Sequence, residues 1–328
     1  MAKRMKSKIQ PSQLELYFNI DEGTNYIDIS QSVSIANRRF YRQGLNWAIA
    51  GLTFSRIVPV ESGASQVVVS KLPNTWVMSN AWEKGFRAWQ KMNRESLEGT
   101  ESIKPKFLDF KIYADHQHSQ NGSDKNKLPI DNAGIEAKPG EWVYSKYVIP
   151  TTSTGNVSDF DVIAVGASFQ NAAKEVSLIE GYAASRGLPN ISDPNAPSDA
   201  DDVGPNPTPE NWIGALDNEG TNQDRVVLDD MLTENNQAPY PFENGDDPVN
   251  GGTYTDTMYP GGANQLSTLM THDIGYFNPG NHANKIMLSG GNFPCGLIKI
   301  QAAAECVVKL TMIPGNHRGY LAESMTEM

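Results

Sequence analysis

Residues 14–35, LELYFNIDEGTNYIDISQSVSI, decide the fold class. Leu14, Leu16 and Phe18 alternate with Glu15, Tyr17 and Asn19. Ile27 and Ile29 alternate with Asp28 and Ser30, and Val33 and Ile35 keep the rhythm. Side chains two apart share one face of a strand, so this is a chain lying in a sheet with one face buried. Further β-rich runs follow at residues 47–57, 66–71, 107–114, 141–149, 160–165, 296–301 and 306–313. Most of these runs are bounded by Gly, Pro, Asn or Ser, as strands are. Residues 118–140 separate two of them and are too long for a hairpin turn, so they read as loop. Two segments have helical spacing instead. In residues 75–98, Met78, Trp82, Phe86 and Trp89 fall on one helical face, with Ser79 or Asn80 as cap and Gly99 as stop. Residues 170–187, QNAAKEVSLIEGYAASRG, are the second. Strands that far outnumber helices, joined by long connections, imply a β-sandwich or jelly roll.

With 328 residues, 39% of them hydrophobic, the chain is large enough to bury a core without metal or disulfide. No apolar run approaches the ~18 residues of a membrane span. The basic start, MAKRMKSKIQ, has no apolar region to make it a secretory signal. Cys295 and Cys306 cannot build a disulfide framework, and both read as small buried side chains.

The net charge of −11 is unevenly placed. Residues 187–250 hold fourteen acids against one base, Arg225, and nine of the twenty prolines. That insertion carries −13 and leaves the remainder at +2. Its composition suits a solvated excursion from the fold. Lys3, Arg4, Lys6 and Lys8 form a basic arm over residues 1–12, and Arg38, Arg39 and Arg42 form a second basic cluster. Such cations neutralise phosphates without reading base sequence.

Other chemistry finds little footing. His116 and His118, with Asp115 or His272, make a metal set in outline only, and a solvated loop is the plainer reading. Asp199, Asp201 and Asp202 offer hard oxygens for a structural calcium, without the turn glycine or closing glutamate of a calcium loop. No nucleophile elbow, phosphate-binding glycine loop or zinc motif occurs, so an enzyme is not expected. Trp82, Phe86 and Trp89 suit a core better than a base-stacking platform. Trp142, Trp212 and Tyr240 would be the contacts of the alternative reading, a carbohydrate-binding β-sandwich.

A collinear set of segments resembles the capsid proteins of small circular single-stranded DNA viruses known from aquatic samples. They are PNTWVMSNAWEKGFRAWQKMN (73–93), KPKFLDFKIY (104–113), EWVYSKYVIP (141–150), LIEGYAASRGLP (178–189), NFPCGLIKI (292–300) and MIPGNHRGYLAESMTEM (312–328). The resemblance implies a single jelly-roll β-sandwich of about eight strands, all-β apart from one or two short helices. It implies self-assembly into an icosahedral virion shell around a circular single-stranded DNA genome. Partners would then be further copies of the chain and the genome, with a host receptor unspecified and no membrane. Many such capsids carry a long Arg/Lys-rich arm, whereas this chain has only MAKRMKSK. The domain plan is an arm (1–12), a shell domain (13–316) with its acidic surface insertion, and a C-terminal tail (317–328). The tail holds too little apolar surface to pack alone, and it or the N-terminal arm is expected to lie across a neighbouring subunit.

Overall fold

The structure, a computed structural model, describes residues 12–56, 65–96, 109–150, 157–185, 268–278 and 284–328. In chain order, β1 (Glu15–Ile20), β2 (Gly23–Asp28), α1 (Ile29–Asn37), β3 (Leu45–Ser55) and β4 (Ser65–Lys71) come first. Then follow α2 (Trp76–Ser96), α3 (His116–Asn121), β5 (Lys146–Pro150), β6 (Val157–Ile163), β7 (Glu175–Ser177) and α4 (Leu178–Ser185). The chain closes with β8 (Met270–Phe277), β9 (Lys285–Phe293), β10 (Leu297–Ala302), β11 (Cys306–Met312), β12 (Pro314–Gly315), β13 (Gly319–Tyr320) and β14 (Ala322–Ser324). These elements form two compact units. One takes the described residues of 12–74, 121–143 and 270–328, and the other those of 75–120 and 144–269. The described fold is mostly β rather than all-β, and α2 alone runs for 21 residues.

The first unit is built on two antiparallel sheets. In one, β1 pairs with β11 and β11 with β3; β14 and β9 also pair with β3. In the other the order is β2, β10, β4, β8. Four pairings nest like brackets: β4 with β8, β3 with β9, β2 with β10 and β1 with β11. Both sheets feed one core, with Phe18, Trp47, Phe54, Val69, Phe293, Ile300 and Val308 fully buried. Alternation holds along β1 and β11, as expected. It slips in β3, where Trp47 and Ile49 face inward and then Leu52 and Phe54 do. The register against β11 skips Ala50 there, a bulge that moves the inward set by one residue. Opposite it, a Cβ on Gly290 would lie 2.3 Å from the Ile49 and Ala50 carbonyl oxygens, so only glycine fits.

The strand expected to continue past Ile27 becomes helix α1. Asp28 caps it, accepting from the Gln31 N–H at 3.2 Å, and Ile29 and Val33 are buried one helical turn apart. Spacings of two and four fit either period, and the cap decides. Asp28 also accepts from Gln43 Nε2 at 3.0 Å and from the Trp142 indole at 3.1 Å. Residues 123–140, expected as plain loop, strap two outer strand edges: the Ile130 N–H bonds the Tyr17 carbonyl and the Lys127 N–H that of Tyr26. Paired edges of this kind do not template aggregation. The C-terminal segment differs from expectation too. Rather than extending away, β13 pairs with β12 and β14 with β3, and Tyr320 and Met325 are fully buried.

In the second unit, α2 begins after Thr75, whose hydroxyl accepts from the Met78 N–H at 3.4 Å, so Ser79 and Asn80 lie inside the helix. Trp82, Phe86 and Trp89 pack on one another and on Phe110, as a core does. Gly85 lets α4 approach: a Cβ there would meet the Leu178 side chain at 2.5 Å. Of the helix expected over 170–187, Leu178–Ser185 forms; Glu175–Ser177 instead pairs in parallel with β6. Residues 109–114 form no strand beyond a bridge from Tyr113 to Ile163, and the strand expected at 141–149 starts only at Lys146.

Candidate nucleic-acid interface

Helix α1 ends in a Schellman turn, with the Arg38 N–H on the Ile35 carbonyl at 3.3 Å and the Arg39 N–H on that of Ser34 at 3.2 Å. Arg38 occupies its left-handed position, φ 52°, where glycine is the usual residue. A second turn faces this loop. His317 and Tyr320 exchange backbone bonds around Arg318 and Gly319, φ 51° and 106°. Positive φ at both central residues makes this a type I′ turn, which favours Asn-Gly. Each turn thus holds an arginine where a side chain costs roughly 1–2 kcal/mol of backbone strain. Helix C-termini favour cations, which accounts for part of the basic character at Arg38 and Arg39 but not at Arg318.

An aromatic cluster fixes the two turns together. Tyr41 and Trp47 are fully buried with Tyr320, their rings 5.6–6.0 Å apart at the centroids. The Tyr41 hydroxyl donates to the Arg318 carbonyl at 3.0 Å. The Arg318 guanidinium donates to the Phe40 carbonyl and lies 6.0 Å from the centre of the Tyr41 ring. Burial, and then the neighbouring Arg318 charge, hold His317 below its usual pKa. Burial holds the Tyr320 phenol above its own.

The start of the described chain is tied to the same place. The Gln13 N–H donates to Asn37 Oδ1 at 2.9 Å, the Tyr320 hydroxyl donates to the Gln13 carbonyl at 2.6 Å, and Ser12 Oγ donates to the Gly319 carbonyl at 3.2 Å. Arg38, Arg42 and Arg318 are exposed and Arg39 is half-buried. Among the described residues neither Arg38 nor Arg42 forms an ion pair. Exposed guanidinium groups suit phosphate oxygens, which they bind in bidentate fashion without base recognition.

The structure places Arg38, Arg39 and Arg42 at the end of α1 and in the loop after it, and brings Arg318, which nothing in the linear sequence connects to them, against Phe40 and Tyr41 of that loop. Lys3, Arg4, Lys6 and Lys8 lie outside the described residues, as do Asp199, Asp201, Asp202, Trp212, Tyr240 and the rest of 187–250. The histidine set does not assemble. His116 and His118 lie on helix α3 rather than on extended chain, so two residues apart they point to different sides. His118 is buried with Nδ1 accepting from the Ala114 N–H, and His116 pairs with Glu175. His272 belongs to the first unit and bonds the Ser289 carbonyl at 2.9 Å. Among the described residues no group of three His, Cys, Asp or Glu side chains is placed to hold a metal. Trp142, a proposed glycan contact, is 8% exposed with its indole on Asp28, an anchor rather than a binding surface. Comparison with protein families, curated proteins and solved structures returns no match.

Proposed function

We propose that the protein is the major capsid protein of a small circular single-stranded DNA virus, with its first unit a single jelly roll. The nested strand pairing carries this reading. Eight strands pair first with last, alternately in two sheets of order β1-β11-β3-β9 and β2-β10-β4-β8, a nesting that supports a jelly-roll reading. The collinear resemblance of six segments to such capsids points the same way. The shell binds its genome through Arg38, Arg39, Arg42 and Arg318 together with the arm. Contacts too weak singly become strong when many copies line a shell.

Electron microscopy of the purified full-length protein tests the assembly. Closed particles of uniform diameter, containing nuclease-protected DNA, are the expected result. A monomer that forms no particles under any salt or protein concentration overturns it.

A further inference from the structure

The second unit carries a basic surface of its own. On α2, Lys84, Arg87, Lys91 and Arg94 recur at intervals of three and four residues, against Glu83 and Glu95 in the same helix. At 3.6 residues per turn these four cations fall within an arc of about 80°, and they span about 15 Å of helix. The opposite face carries the buried Met78 and Trp82 and, with Phe86 and Trp89, packs on Phe110, so the helix cannot roll. The row borders a groove of about 450 Å3 between α2 and α4, lined by Asn80, Glu83, Lys84, Arg87, Lys91 and Tyr182. Glu83 pairs with Arg87, whose side chain is still 73% exposed. Asn80 donates to the Tyr182 hydroxyl at 3.4 Å, which holds the half-buried ring at the groove wall.

We infer that this groove is a second site for single-stranded nucleic acid, with the phosphodiester backbone along Lys84, Arg87, Lys91 and Arg94 and a base against Tyr182. A band of cations recurring along one helix face matches a linear, charged polymer. An aromatic ring beside a cationic row is the arrangement that binds single strands without regard to sequence. The inference rests on the proposed role in enclosing a DNA genome, but involves different residues from the arginine turns.

The test is titration of the full-length protein with a fluorescent single-stranded oligonucleotide at several salt concentrations. The variant Lys84→Gln/Lys91→Gln/Arg94→Gln is expected to lower the slope of log K against log salt by about 2, at ~0.7 for each phosphate no longer neutralised. Tyr182→Leu is expected to weaken binding roughly tenfold with the salt slope unchanged. Circular dichroism should show unchanged helix content in both. An unchanged slope and affinity for both variants, while Arg38→Gln/Arg42→Gln/Arg318→Gln weakens binding, overturns the groove and leaves the proposed function standing. No effect from either set of neutralisations overturns both. Loss of heparin binding with oligonucleotide binding intact would assign the groove to sulfated glycans and overturn the inference.

Discussion

Arg38 and Arg318 each hold a left-handed backbone position in which glycine would be less strained. Natural chains keep such strain where the side chain has work to do. Arg38→Gly is therefore expected to leave stability unchanged or raise it by about 1 kcal/mol, as read by urea denaturation. The same change should weaken oligonucleotide binding and lower its salt slope by about 0.7. A loss of stability with binding intact would make Arg38 a purely structural residue. The trio Arg38, Arg39 and Arg42 was legible in the sequence as a run of like charges. Arg318 was not, because what joins it to them is the Tyr41–Trp47–Tyr320 packing, which no linear pattern records.

At the scale of elements, the outcome turned on caps and close approaches. β4, β10 and β11 were legible because they are short runs rich in β-branched residues, and β1 because strict alternation admits one period. Ile27, Ile29, Val33 and Ile35 admit two, and Asp28 resolved them by capping a helix. β8 and β9 went unread because Gly275, Gly290 and Gly291 look like turn punctuation, whereas Gly290 serves close backbone packing. Asp28 does more than cap. Its removal leaves Gln43 and the Trp142 indole as buried donors without their acceptor. Asp28→Ala is expected to cost about 3 kcal/mol or more, at roughly 1–3 kcal/mol for each stranded group, in urea denaturation of the full-length protein. Asp28→Asn, which keeps an acceptor oxygen, should cost less.

On the scale of the whole molecule, the surprise is how firmly the C-terminus is tied to its own chain. The fully buried Tyr320 and Met325, and the pairing of β14 with β3, make residues 315–328 part of the first unit's core. Truncation after Pro314 is expected to lower the melting temperature of unassembled protein measured by circular dichroism. An unchanged melting temperature with failed assembly would return the tail to a role between subunits. The nesting of the strands has a further consequence, for synthesis on the ribosome. Glu15 in β1 and Lys309 in β11 form an ion pair across 294 residues of sequence. At roughly 5–20 residues per second, β1 leaves the ribosome some 15 to 60 s before its partner strand exists. The innermost pair, β4 with β8, is the first of the four that can form, and each later pair closes around it. Residues 75–185 emerge well before β8 and can begin to fold during that wait. Only a finished polypeptide can bury Phe18 and Ile20 against β11. Translation therefore acts as the timer: no chain cut short before β11 can complete the sheet in which β1 pairs with β11.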